Sequence, residues 1–250
     1  MNKYFDISRF WLLLKLELYK SRMGVIITLD IAIGLLFIGM FMDILFTPSL
    51  TVHDHNEAYA FTLTIGGFVL SSLAFNGLSS SLKRFSYLTL PVSTFERWLC
   101  MWLLTSIGWI VLYSTVFFVY TLIANSVGRV IYDFVEFRPF DPFSGEVATT
   151  VVTYFVLQGM FLVGATHFKA YVFPKTLFSI FTSAFVIGFI LFMALKDIFL
   201  TEHECKGYEC EYVDTMGMHW VWAAIKFSFW WILAPLSWVI SYFGLKDKEV

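Results

Sequence analysis

Six apolar runs, each about 20 residues or longer, decide what this chain can fold into: 25–46, 59–78, 98–125, 149–167, 177–199 and 219–243. A helix needs roughly 20 residues to cross a hydrocarbon core of about 30 Å. Lipid offers no hydrogen bonds to a backbone, so each run must satisfy its own amides and carbonyls as a helix. Composition agrees, with 58% hydrophobic and only 14% charged residues, where soluble domains carry about 25% charged. The expected fold is all-α, a polytopic membrane protein with six transmembrane helices in one domain, 1–250.

Orientation follows from lysine and arginine, which favour cytoplasmic loops. One side holds Lys3, Arg9, Lys15, Lys20 and Arg22, then Lys83, Arg84 and Arg97, then Lys169, Lys175, Lys246 and Lys248. The other holds Arg129, Arg138, Lys196 and Lys206, with Lys226 inside the sixth run. Both termini are therefore expected in the cytoplasm. Residues 1–22 carry charges throughout and no small-residue cleavage site. They read as an N-terminal interfacial helix, with long basic side chains snorkelling to water, rather than as a cleaved signal.

The outer loops, 126–148 and 196–218, differ in character. The first mixes aromatic residues with acids and two prolines, and its phenylalanines are expected against the membrane surface. The second is acidic and holds Cys205 and Cys210. In an oxidising compartment these two form a local disulfide or stay as free thiols, while Cys100 in the third run reads as apolar filling. His53, His55, His203 and the two loop cysteines offer metal-ligand chemistry. Nothing in the sequence brings those loops together, so no metal ligands are assigned.

The motifs that carry catalysis are missing. The chain has no HExxH, no GxSxG and no GxxxxGK[ST] phosphate loop, so no catalytic residue and no cofactor-binding residue is assigned. It is read as not an enzyme. Nucleic acid is excluded as a partner because no basic face interleaved with aromatics stands in water. Ionisable residues inside the runs (Asp30, Asp43, Lys226) and the amides Asn76 and Gln158 read as paired or hydrogen-bonded packing groups. Gly67, Ser71 and Ala74 share one face of the second run, a spacing that lets helices approach closely. Trp220 and Trp222 fit an interface belt, and Trp230 and Trp231 lie deeper in the sixth run.

One short segment, 79–97, stands apart. It runs from an apolar span through Lys83 and Arg84 to a Leu-Pro-Val-Ser turn at 90–93, then by Glu96 and Arg97 into an aromatic span. This order resembles the membrane (permease) subunits of type-2 ATP-binding-cassette exporters, whose segment between the second and third spans often carries such a stretch. Six spans, inward termini and an interfacial first helix are similar to that family too. The resemblance implies that 79–97 is the cytoplasmic coupling segment, docking on a separate ATPase subunit. It implies contact through Lys83, Arg84, Phe85, Tyr87 and Leu88, with Leu90 and Pro91 ending the helix. ATP and Mg would then belong to that partner subunit, with none in this chain. A second copy of the chain and membrane lipid would be the other partners. The implied location is a bacterial cytoplasmic (inner) membrane, the implied function export of a substrate as ATP is hydrolysed. The alternative is a non-transporting membrane scaffold or assembly factor, metal-related through its outer loops.

Overall fold

The computed structural model describes residues 5–46, 52–78, 91–131, 136–201 and 223–249. The helices that carry the described part of the fold are α1 Ile7–Phe46, α2 Asn56–Leu73, α3 Thr94–Leu103, α4 Trp109–Ile131, α5 Gly145–His167, α6 Val172–Thr201 and α7 Leu233–Glu249. A π-helical turn, Leu104–Gly108, joins α3 to α4 without a break, and a second, Ser228–Ile232, leads into α7. The described departure from all-α is one parallel pairing of two-residue strands, β1 Val52–His53 and β2 Glu136–Phe137.

Among the described residues five stretches are long and apolar enough to cross a membrane: Ile7–Met42, Thr94–Val130, Gly145–His167, Val172–Met193 and Ala223–Lys248. The chain is a multi-pass membrane protein on that ground. The expectation of six spans is met only in part. The second run does form a helix, but α2 has 18 residues and opens on the polar pair Asn56 and Glu57. It stops at Leu73, where the chain turns into the 3-10 segment Asn76–Leu78.

The expected interfacial helix is not a separate element. α1 is one helix of 40 residues, about 60 Å long at 1.5 Å per residue, twice the hydrocarbon thickness. Met23 and Gly24 stand between the charged start and the apolar run. One glycine weakens a helix by roughly 0.5–1 kcal/mol, too little to end one whose following backbone has no other hydrogen-bond partner in lipid.

Local sequence sets the other boundaries. α3 starts on a capping box: the Ser93 side chain accepts from the amide of Glu96, and the Glu96 carboxylate accepts from the amide of Ser93. That arrangement satisfies two of the donors a helix start leaves open. Ser144 caps α5 in the same way, accepting from the Val147 amide. The α5–α6 turn is short, and Tyr171 takes a positive φ of 53° to make it.

The main core is aromatic. Trp109, Tyr113, Phe117, Tyr120 and Ala124 recur every three or four residues along α4 and form one buried stripe. It meets Tyr59 and Leu63 of α2 and Tyr154 of α5. Small residues make these crossings possible. A Cβ on Gly67 would stand 2.3 Å from the Tyr154 ring, one on Gly66 2.6 Å from the Trp109 ring, and one on Gly164 1.9 Å from Thr176 Oγ1. The Gly67–Ser71 face therefore serves packing within the chain, as does the Gly164 face of α5.

α6 packs mainly through its first turns. From 181 to 190 every residue is exposed, with Phe181, Phe185 and Phe189 among them. This apolar stretch, like the Ile27–Ile38 face of α1, suits a hydrocarbon environment.

The loop before α5 departs from expectation. Its phenylalanines were expected to lie on a membrane surface, but Phe137 and Phe140 are buried and plug the end of the α2–α4 core. Phe140 meets Tyr59 at 5.0 Å and Phe117 at 4.8 Å between ring centroids. Phe143 alone of the three is exposed. Burying two rings against other rings gains more than laying them along an interface, since each large aromatic removes 150–250 Å² from its surroundings.

Candidate functional site

At the basic end of the bundle, α1, α3 and α7 converge on the last residues of the 79–97 segment. Glu96 is the centre. Its carboxylate is fully buried and takes the backbone N–H of Asp6 at 2.7 Å, the Arg9 guanidinium at 3.2 Å and the Ser93 amide at 2.8 Å. Asp6 in turn accepts the Ser8 amide at 2.9 Å and so opens α1. One carboxylate thus caps α3 and anchors the first turn of α1.

Aromatic rings extend this clamp to the last helix. Phe95 meets Phe5, Trp98 and Tyr242 at 6.3–6.4 Å between centroids, and the Trp98 indole donates to Ser241 at 2.7 Å. Leu245 of α7 is wholly buried nearby, with Trp98 packed in the same cluster. Pro91 stands exposed two residues before the cap. Having no N–H, it leaves one donor fewer to satisfy ahead of the helix start. Arg97, expected as a loop cation, lies buried in the first turn of α3.

The remaining contact residues expected of the segment, Lys83, Arg84, Phe85, Tyr87, Leu88 and Leu90, lie outside the described residues. So do Cys205, Cys210, His203, Trp220 and Trp222, and the side chains of His53 and Asp43. Asp30 and Lys226 are exposed on their helices. Asn76 lines a small hollow with Ser72, Lys169 and Lys248, where the C-terminal ends of α2, α5 and α7 meet. The lysines there suit the negative ends of three helix dipoles. Trp231 is exposed and Trp230 half-buried, edge-on to Phe229.

The middle of the bundle holds a polar seam that sequence reading assigned only to Gln158. A π-turn bonds i to i+5 and loosens the carbonyl ladder. The Tyr154 hydroxyl donates to one of its carbonyls, that of Thr105. Gln158, wholly buried, donates through Nε2 to Thr105 Oγ1 at 2.8 Å.

At the far end, His55 stands where α2 begins. Its Nε2 pairs with Asn125 Oδ1 at 2.7 Å, and Asn125 Nδ2 donates to the Arg138 carbonyl at 3.2 Å. Asn56 donates to the Glu146 carboxylate at 2.6 Å. These bonds tie the 136–144 strap to α4, α4 to His55 at the head of α2, and α2 to the first turn of α5. Burial holds the His55 pKa below the ordinary histidine value, partly offset by the Asn125 bond and the nearby Asp54 charge. Among the described residues no three His, Cys, Asp or Glu side chains gather as a metal site.

Comparison with family models, curated proteins and solved structures found no match to this chain.

Proposed function

We propose that this chain is the membrane subunit of an ATP-binding-cassette exporter, driven by a separate ATPase subunit that docks on the 79–97 segment. The observation that carries the reading is the Glu96 clamp. A subunit with no phosphate loop needs an outside motor, and force from that motor has to pass through a stiff joint. Glu96 and Phe95 support such a joint: the single buried Glu96 carboxylate ties the segment's last residues to the start of α1, and the Phe95 ring packs on Tyr242 of α7. Movement imposed on 83–91 would then reach two spanning helices at once.

In this account ATP and Mg bind the partner, the basic end faces the cytoplasm, and the membrane is the bacterial inner membrane. Two copies of the chain enclose the pathway. Purification in mild detergent tests the reading: an ATPase subunit is retained with the native chain and lost with Arg84→Glu. A chain that never retains an ATPase, and is indifferent to Arg84→Glu, is a scaffold or assembly factor instead.

A further inference from the structure

An open groove of about 530 Å³ follows the outside of α6 from its first turn. Phe168 lines it together with Lys175, Phe178, Ser179, Thr182 and Ser183. The five α6 residues share one face and span about 12 Å of helix.

The groove is charged at one end and apolar along the rest. Lys175 stands in the first turn of α6, at the basic end of its membrane span. Further along, Thr182 donates to the Phe178 carbonyl at 2.8 Å and Ser183 to the Ser179 carbonyl at 2.7 Å. Their protons point into the helix, so the groove meets their carbon atoms. From 181 to 190 every residue of α6 is exposed, and no described part of the bundle covers this face.

The charge has no answer within the described chain. Neither Lys175 nor Lys169 has a carboxylate in ion-pair range among the described residues, and residues 147–195 contain no Asp or Glu. The α6 dipole adds positive potential at the same end, where an anion is favoured and a lysine is not. Lys169, on the short turn before α6, adds to it.

The occupant that matches has an anionic head at the membrane boundary and an apolar chain leading inward. A soluble anion would leave the apolar length of the groove empty, and a zwitterionic head would bring its own cation toward the lysines. We propose that this groove is a binding site for one anionic phospholipid of the leaflet at the basic end. Its phosphate pairs with Lys175, and one acyl chain lies along Phe178, Ser179 and Thr182. Basic pockets at the ends of spanning helices hold such head groups, at about 1 kcal/mol for each lysine near the surface. This inference does not depend on the exporter reading.

Native mass spectrometry of the full chain in mild detergent reads the test, with phosphatidylglycerol and phosphatidylcholine of identical acyl chains offered together. One phosphatidylglycerol per chain is expected to be retained, about fivefold over phosphatidylcholine. Lys175→Gln should abolish that preference. Ser183→Trp fills the groove without changing charge and should lower retention of phosphatidylglycerol itself. Lys15→Gln, at an exposed lysine of α1, should change neither. Equal retention of the two lipids, or a preference that Lys15→Gln reduces as much as Lys175→Gln does, overturns the site. So does a dimer of the chain that Ser183→Trp splits while lipid retention stays the same, which gives the groove to a second copy. Should Lys175→Gln fail to fold, the Ser183→Trp result decides: phosphatidylglycerol retention indifferent to it contradicts the site.

Discussion

Glu96 accepts the backbone amide of Asp6 at 2.7 Å across ninety residues of sequence. Through that bond the start of the first helix and the start of the third are one unit. Because the same carboxylate also caps α3 and pairs with Arg9, its loss strips partners from three donors at once. Glu96→Ala is expected to cost about 2–4 kcal/mol, seen as a lower Tm in detergent. Glu96→Gln keeps one acceptor and the shape, so it should lose less.

Glycines at crossings and on open faces make opposite predictions. Gly67→Ala drives a Cβ into the Tyr154 ring and should destabilise by about 1–3 kcal/mol, as overpacking does. The added Tyr154→Leu change should recover part of that loss. Gly34 on α1 has nothing within 4 Å, so Gly34→Ala should be neutral or gain up to about 1 kcal/mol from helix propensity. Thermal unfolding of the three variants side by side checks both signs.

The Tyr154 hydroxyl supports the π-turn through the Thr105 carbonyl. Tyr154→Phe leaves that carbonyl without its side-chain donor and is expected to cost about 1–2 kcal/mol. Amide exchange should quicken around 104–108 more than in α2. Uniform quickening across the bundle would contradict a local role.

Burial depresses the pKa of His55, so the unfolded chain takes up a proton at higher pH than the native one. Stability is then full above the ordinary histidine value of about 6.5 and falls as pH drops through it toward the native pKa. His55→Gln should flatten that fall, measured as Tm against pH between about 7 and 5. An unchanged slope would mean that other groups carry it.

The apolar runs were legible because lipid leaves a spanning backbone few alternatives to helix. Run three, for example, lies wholly within the continuous 94–131 helix. The clamp was only half legible. Ser93-Thr94-Phe95-Glu96 is a capping box in plain sequence, yet its partner Asp6 lies too far away for any local pattern to show. The strap was misjudged for the same reason. Phe137 faces the place that Gly128 leaves open, where a Cβ would stand 2.4 Å from its ring, and only the fold brings those two together. The charges of 1–22 suggested a boundary that nothing in the backbone enforces, so α1 runs straight through it.

If the exporter reading holds, the 79–97 segment carries a partner's force into the bundle. Affinity purification of the native chain from its own membranes, followed by identification and quantitation of bound subunits, addresses it most directly. The account predicts an ATP-binding-cassette ATPase at one copy per chain, reduced at least tenfold by Arg84→Glu while the bundle's Tm is unchanged. Recovery of the folded chain with no ATPase, or with an ATPase that Arg84→Glu leaves in place, would contradict it.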